Sequence, residues 1–225
     1  MIQFHKDIGL ICNKVILWRY ISIDSFERLI QSSELHFHRI DNYDDREEGV
    51  LTTLDKGIFS FFSNSEEYWE RERKRHYVSC WIESPHELAL MWQAYGNKGV
   101  AIKSSVKSLI ESFEDDETNK IIMAKVQYKD YDIDSSQING TPINVLKIVF
   151  TKRKYYEQEK EIRLLYSDYF SPKGQEKLYY NLPCHIETLI EEIRLAPNLS
   201  CEDENYVRDI IKQHNFKIPI LRSEI

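Results

Sequence analysis

The sequence predicts an α+β fold in a single domain. Segments rich in β-branched and aromatic residues, typical of strands, are mixed with segments of helical spacing, and no regular βαβ rhythm links them. The chain has 225 residues, of which 42% are hydrophobic, and this is enough for a sizeable core. Neither an internal repeat nor a Gly- or Pro-rich linker divides it. We therefore expect one domain over residues 1–225.

The predicted elements follow a weakly structured lead-in over residues 1–14. Asp24 is a good N-cap for the first helix, and Pro142 suits the first turn of a later one. Strands are predicted over 15–21, 34–40, 76–83, 99–103, 121–128, 159–166, 176–182, 191–197 and 217–223. Helices are predicted over 25–32, 50–76, 87–95, 105–113, 142 to about 152, 186–190 and 201–215.

Composition and charge exclude several classes of protein. The net charge of -7 disfavours broad, non-specific binding to nucleic acids. The four cysteines form no C-x-x-C pair, so a structural zinc site is not expected. The N-terminal residues lack the pattern of a signal peptide, and no run approaches the roughly 20 apolar residues of a membrane span. We expect a soluble, reduced, cytoplasmic protein.

Motifs of several common enzyme classes are absent from the sequence. There is no G-x-G-x-x-G and no G-x-x-x-x-G-K-[ST], which argues against a Rossmann dinucleotide site and a P-loop. There is also no G-x-S-x-G and no H-E-x-x-H. Any chemistry must therefore come from residues that are dispersed along the chain.

Two histidines near an acidic loop are a candidate metal site. His36 and His38 point to the same side of a predicted strand, and Asp41, Asp44 and Asp45 follow. A site of two histidines and one carboxylate needs ligands of these types. Exposed strand histidines beside a polar loop are the alternative interpretation, and the spacing fixes no third ligand. We expect no bound metal.

A charged strand is the most unusual local feature. In an extended strand Glu159, Glu161 and Arg163 share one face, while Ile162 and Leu164 share the other. Adjacent like charges on one face repel, and Glu is depleted in strands, so the pattern suggests a site. The alternative is an edge strand with a solvated charged face and an internal Glu–Arg pair.

Three dispersed polar residues lie inside predicted strands and form a candidate constellation. Arg19 lies in an early apolar strand, Ser79 in a middle one, and Glu161 in the charged strand. A buried arginine needs a carboxylate or a phosphate as its partner. The aromatic residues Tyr20, Trp81, Trp92 and Tyr95 could line a cleft. Together they predict a site for a phosphate-bearing, ring-containing ligand beside an acidic residue.

Short motifs distributed from Val15 to Ser223 resemble those of a bacterial family. They are LWRY at 17–20, ELHFHRIDNYDD with EEG at 34–49, YVSCW at 77–81, MWQAYGNKGVAIK at 91–103, VQY at 126–128, EKEIRLL at 159–165, LIEEIRLAP at 189–197 and PILRS at 219–223. This order of motifs resembles the family known as domain of unknown function 2971. That family is similar in fold to the ADP-ribosyltransferase-like group. The resemblance implies a split, mainly antiparallel sheet with flanking helices and with NAD⁺ in the cleft between its halves.

The resemblance also implies a role for each polar residue. Arg19 would hold the NAD⁺ pyrophosphate, because a guanidinium suits phosphate oxygens. Ser79 would orient Glu161, which would stabilise the oxocarbenium-like state as nicotinamide leaves. Glu159 would orient or deprotonate the acceptor. Trp81 or Tyr95 would stack on a ring of NAD⁺, and the implied NAD⁺-binding residues also include Tyr20, His38 and Trp92.

Three hypotheses about function follow. The first is an ADP-ribosyltransferase or NAD⁺ glycohydrolase, a bacterial toxin or phage-defence effector that modifies an unknown protein or nucleic acid. The second is a non-catalytic binding or regulatory module, because the middle motif is Ser79-Cys80-Trp81 instead of Ser-Thr-Ser and Arg163 could neutralise Glu161. The third is a metal-dependent nuclease or hydrolase that uses His36, His38 and the aspartates that follow them.

Overall fold

The computed structural model describes residues 2–5, 8–43, 49–59, 65–94, 98–114, 120–136, 145–172 and 174–225. The strands are β1 Ile2–Phe4, β2 Ile16–Ile21, β3 Glu34–Arg39, β4 His76–Glu83, β5 Val100–Ser105, β6 Ile121–Lys125, β7 Gln127–Lys129, β8 Thr151–Arg153, β9 Glu161–Ser167, β10 Tyr179–Pro183, β11 Glu192–Leu195 and β12 Ile220–Arg222. The α-helices are α1 Ile23–Ser32, α2 Thr53–Phe59, α3 Ser65–Arg73, α4 Ala89–Ala94, α5 Val106–Glu111, α6 Val145–Val149, α7 Ile186–Leu189 and α8 Cys201–Gln213. Short 3-10 helices cover Ile40–Asn42 and Lys154–Glu159.

Ten strands form one sheet that branches at β4. Its main path has the order β1-β6-β9-β4-β2-β5-β11-β12, and a side branch runs from β4 to β3 and β10. The pairs β1–β6 and β11–β12 are parallel, and the other pairs in this sheet are antiparallel. A second, two-stranded sheet joins β7 and β8 in parallel. The predicted α+β class with a mainly antiparallel sheet is confirmed.

The branch arises because β4 is longer than either neighbour on one of its sides. On one side, β9 pairs with β4 from His76 to Ile82. On the other side, β3 pairs with Tyr77 and Val78, whereas β2 pairs with Ile82 and Glu83. Residues 79–81 of β4 therefore lie between two diverging strands. This fork is the split that the resemblance implied.

Helix α1 connects the two strands of the fork and packs on the sheet. Ser22 caps its N-terminus, because its hydroxyl accepts a hydrogen bond from the backbone N–H of Ser25. The apolar residues Phe26, Leu29 and Ile30 share one side of the helix and are buried in the core. Ser33 adopts a left-handed conformation and ends the helix, so β3 can begin at the next residue.

Several predicted boundaries were wrong. The lead-in contains β1, which pairs with β6, more than a hundred residues further along, and local sequence does not reveal such pairing. The helix predicted over 50–76 is replaced by α2 and α3, with 60–64 outside the described residues. The helix predicted from Pro142 to about 152 lies partly outside them. Among the described residues, α6 ends at Val149, and residues 151–153 form β8 instead of continuing a helix. None of the described helices is both long and apolar enough to span a membrane.

A buried histidine makes the stability of this fold sensitive to acid. His76 in β4 is fully buried, and its Nδ1 lies 2.9 Å from the Ser167 hydroxyl. Its Nε2 has no hydrogen-bond partner among the described residues. Burial, together with the nearby charge of Arg75, lowers the pKa of His76 to about 4. The folded protein therefore excludes a proton that the unfolded chain takes up.

We expect the free energy of unfolding to fall as the pH decreases from 6.5 to about 4. Below pH 6.5 the unfolded state binds this proton and the folded state does not, so the contribution of His76, about 3 kcal/mol, is progressively lost. Urea unfolding between pH 4 and 8 measures it. The free energy of unfolding of the His76→Asn variant should depend less on pH than that of the wild type. The same substitution at the exposed His185 should leave the pH dependence of the wild type unchanged. Parallel curves for wild type and His76→Asn would contradict this account.

Candidate functional site: the fork between β2 and β3

The fork brings Arg19 and Ser79 together. Arg19 lies near the end of β2, where this strand leaves β4, and its Nη1 donates a hydrogen bond to the hydroxyl of the buried Ser79. Its Nη2 donates to the backbone carbonyl of His36 on β3, at 3.3 Å. The guanidinium carbon lies 5.8 Å from the ring centroid of Trp81. The guanidinium is thus held by all three strands of the fork.

Glu161 lies on the opposite face of the sheet from Ser79. In the register of β4 and β9, Ile82 is opposite Glu161 and Ser79 is opposite Leu164. Directly opposed residues share a face and successive residues alternate, so Ser79 and Glu161 point to opposite faces. The expectation that Ser79 orients Glu161 was therefore wrong. Arg19 lies on the Ser79 face, since its neighbour Trp18 is opposite Ile82.

A cleft of about 370 Å³ opens at the fork and is hereafter called the fork cleft. Its polar lining includes Arg19, Arg28, Glu34, His36 and Asn181, together with the ring of Tyr179. One wall is α1, where Ser25, Arg28 and Ser32 recur at helical spacing and so face the same way. The other wall is formed by β3 and β10. The size and the mixed lining suit a small organic ligand.

Two guanidinium groups line the fork cleft, and neither has a carboxylate partner in the part of the chain that the structure describes. Arg28 donates a hydrogen bond from Nη2 to the Ser25 hydroxyl at 3.0 Å. Among the described residues, neither Arg19 nor Arg28 forms an ion pair, and Glu34 in the same cleft is paired with neither. Both positive charges act on His36. Burial is the main cause that lowers the pKa of His36, and the charges of the two arginines lower it further. The cleft is therefore suited to an anion.

The wall opposite α1 carries the aromatic ring of Tyr179, which packs against the ring of His36. The His36 ring is held by a 2.9 Å hydrogen bond between its Nδ1 and the Asn181 side-chain oxygen. Tyr179 lies against it, with ring centroids 5.1 Å apart and planes tilted by 40°. The residue Tyr179 is 52% exposed. The fork cleft thus has an accessible aromatic surface near its two cations.

Glu161 belongs to a separate buried network on the other face. Its carboxylate accepts two hydrogen bonds from Arg163, from Nε to Oε1 at 2.6 Å and from Nη2 to Oε2 at 3.2 Å. Arg163 also donates to the Val149 carbonyl at 2.6 Å, and Lys152 Nζ lies 3.6 Å from Glu161. Burial acts to raise the pKa of Glu161, but the charge and hydrogen bonds of Arg163 outweigh it and hold this pKa well below its usual range.

Cys80, and not Ser79, is the middle-strand residue that faces Glu161. Cys80 is directly opposite Arg163 in the register, and a hydrogen bond from Cys80 contributes to the lowered pKa of Glu161. The Tyr43 hydroxyl lies 3.6 Å from the Cys80 sulfur. An open cavity of about 520 Å³ borders this network, and Glu161, Tyr128 and Lys160 are among the residues that line it.

Glu159 does not lie in the charged strand as predicted. It ends the 3-10 helix Lys154–Glu159, and Lys160 then adopts a left-handed conformation, so that β9 begins only at Glu161. Its Oε2 accepts a hydrogen bond from Lys152 Nζ at 2.8 Å. The alternation that placed Glu159 and Glu161 on one strand face therefore does not exist. Lys152 instead links these two carboxylates.

Three of the four predicted aromatic residues lie in the core. Trp81 is fully buried, and Tyr20 and Trp92 are buried in mutual contact with ring centroids 4.9 Å apart. The Tyr20 hydroxyl accepts a hydrogen bond from the Leu88 N–H, and Trp92 donates to Glu87. None of the three lines the fork cleft. Tyr95, for which a stacking role is predicted, lies outside the described residues.

The histidines on β3 have local partners. His36 bonds to Asn181, and the Nε2 of His38 lies 3.0 Å from the Asn42 carbonyl oxygen. The described residues contain no group of three or more His, Cys, Asp or Glu residues that could hold a metal ion. Asp44 and Asp45, the other predicted ligands, lie outside them. His38 contacts the ring of Tyr43 at 5.0 Å and does not line the fork cleft.

Sequence reasoning missed the contributions of α1 and β10. The helical spacing of Ser25, Arg28 and Ser32 could have been recognised in the sequence, because it marks the polar side of an amphipathic helix. Tyr179 and Asn181 alternate on a predicted strand, but only the pairing of β10 with β3 shows that they lie beside His38 and His36. That pairing joins segments about 140 residues apart.

Comparison with known proteins supports the family resemblance over part of the chain. The family model described as "Protein of unknown function (DUF2971)" matches residues 91–164. The predicted resemblance is thereby confirmed. The matched stretch contains Arg163 and Glu161 but neither Arg19 nor Ser79. No protein of curated function matches the chain in sequence.

Three solved structures of DarT from Thermus sp. 2.9 are similar to this chain. The complex with NAD⁺ has 11% sequence identity and a TM-score of 0.44, over 96% of this chain and 98% of that one. The complex with ADP-ribosylated ssDNA has 11% identity and a TM-score of 0.44, over 96% and 97%. The complex with carba-NAD⁺ has 11% identity and a TM-score of 0.41, over 95% and 97%. This likeness concerns the fold alone.

Proposed function

We propose that the protein binds a phosphate-bearing nucleotide in the fork cleft, with NAD⁺ as the first candidate. The observation that carries the proposal is the convergence of Arg19 and Arg28 beside His36, with no carboxylate partner among the described residues. Arg19 is half-buried and Arg28 is exposed. Two neighbouring cations repel each other, and a phosphate would supply a counter-charge to both. This is the second of the three hypotheses, a binding or regulatory module.

The geometry of Arg19 supports phosphate as the chemical group that is recognised. Its guanidinium is fixed by Ser79 and by the His36 carbonyl, and its other N–H groups form no hydrogen bond with the described residues, so they can donate to a ligand. A planar guanidinium offers a pair of donors that matches two phosphate oxygens. A fixed donor also loses little side-chain entropy on binding, which favours affinity.

ADP-ribosyl transfer or NAD⁺ hydrolysis is the second candidate function, and one observation favours it. Glu161 is held ionised and borders a cavity of about 520 Å³. A fixed carboxylate of this kind would stabilise the positive charge that develops on the ribose as nicotinamide leaves. An unknown protein or nucleic acid would then be the acceptor, and the protein would act as a toxin or phage-defence effector. Against it, Arg163 already pairs with both carboxylate oxygens.

Titration and product analysis distinguish the two functions. We expect isothermal titration to show that ADP and NAD⁺ bind to the wild type and to Glu161→Gln with similar affinity, measured where both are folded. We expect no nicotinamide release from NAD⁺ by either protein, with and without protein, RNA and DNA acceptors. Release by the wild type that is abolished in Glu161→Gln would establish the second candidate. Absence of binding of both nucleotides at millimolar concentration would refute the first.

A further inference from the structure

The two aromatic residues at the start of β10 differ in what surrounds them. Tyr180 is packed between Tyr77 and Tyr166, with ring centroids 4.7 and 4.9 Å away, and its hydroxyl donates to Asp168. Tyr179 points to the other side of the strand, lines the fork cleft and is 52% exposed. The ring of Tyr180 therefore packs against core residues. Among the described residues, the ring of Tyr179 contacts the ring of His36.

The Tyr179 ring is held in position but stays accessible to solvent. His36 supports it at 5.1 Å, and His36 is itself held by Asn181. Asn181 and His36 are directly opposed in the register of β10 and β3, so backbone pairing maintains this support. An aromatic ring with a fixed orientation and an exposed surface is well suited to stacking on a planar heterocycle.

We propose that Tyr179 is the residue that makes the fork cleft select nucleotides over other phosphate compounds, by stacking on the base. The inference rests on the proposed function and adds its ligand class, namely a nucleoside diphosphate group. Its phosphates bind Arg19 and Arg28, and its base lies on Tyr179. Of the two rings that the resemblance implied for stacking, Trp81 is fully buried and already lies beneath Arg19, and Tyr95 lies outside the described residues.

Affinities of ADP and inorganic pyrophosphate, measured by isothermal titration, test this assignment. The wild type should bind ADP more tightly than pyrophosphate, by roughly 5- to 100-fold for one stacked base. Tyr179→Ala should lose this advantage and leave pyrophosphate affinity unchanged within about twofold, since the phosphate contacts remain. Tyr179→Phe should keep it, because the ring is retained. Tyr155→Ala is the control, since Tyr155 is 86% exposed and does not line the cleft.

Two results would overturn the inference while the proposed function stands. One is equal affinity of ADP and pyrophosphate for the wild type, which would show that the base is not recognised. The other is a Tyr179→Ala variant that keeps the preference for ADP. If neither compound binds, the proposed function fails, and this inference fails with it. Circular dichroism and thermal unfolding of each variant confirm that the compared proteins are folded.

Discussion

Replacing Glu161 by Gln is expected to lower the free energy of unfolding by about 3–5 kcal/mol. The substitution removes the charge that Arg163 faces, and Arg163 is almost completely buried. An amide can accept only one of the two guanidinium hydrogen bonds and cannot neutralise the cation. The substitution breaks a buried ion pair, so its cost is larger than that of removing an exposed one.

Denaturant unfolding at pH 7 measures this effect, and the chain offers two informative controls. Glu159→Gln removes a carboxylate that is more exposed and that contacts Lys152, so we expect a loss below about 1 kcal/mol. The double variant Glu161→Leu with Arg163→Met removes both charges, and it should regain most of the stability that Glu161→Gln loses. A Glu161→Gln protein as stable as the wild type would show that the pair is not structural and would strengthen a catalytic role.

Replacing Arg19 by Gln is expected to weaken binding of ADP and NAD⁺ by roughly 10- to 100-fold. The substitution removes a fixed cation and its charge-assisted hydrogen bonds to phosphate, which contribute about 1.5–3 kcal/mol. The loss should be the same for inorganic pyrophosphate, because Arg19 contacts phosphate and not the base. Arg19→Lys should be intermediate, since an ammonium keeps the charge but lacks the planar pair of donors.

Isothermal titration measures these affinities, with Lys107→Gln as the control. That change alters the net charge equally, at a residue of α5 that does not line the fork cleft. Thermal unfolding must accompany the titration, because Arg19 also bonds to the buried hydroxyl of Ser79. If folded Arg19→Gln binds ADP as tightly as the wild type, the phosphate site lies elsewhere.

The sequence was most informative where one strand could be interpreted on its own. The predicted strand 76–83 coincides with β4, and the strand predicted over 34–40 differs from β3 by one residue. Residues 34–39 alternate apolar and polar side chains, and residues 76–83 form a short run rich in aromatic and apolar side chains. Arg19 and Ser79 were both recognised as polar residues inside apolar strands, but their mutual hydrogen bond was not predicted, since the expected partner of Arg19 was a carboxylate or a phosphate.

The relation between Ser79 and Glu161 could not be predicted because it depends on register. The two residues are 82 positions apart, and a shift of one residue in the pairing of β4 and β9 would place them on the same face. The first residue of the charged strand could not be predicted either, because Lys160 adopts a left-handed conformation that separates Glu159 from β9. The role of Tyr179 depends on the pairing of β10 with β3, which local patterns do not encode.

A crystal structure of the protein with ADP tests the central claim most directly. The account predicts phosphate oxygens within hydrogen-bonding distance of the Arg19 and Arg28 guanidinium groups, with the adenine ring stacked on Tyr179. Glu161 and Arg163 should remain paired and make no contact with the nucleotide. Binding of ADP in the cavity beside Glu161 and Tyr128, with no nucleotide in the fork cleft, would contradict it.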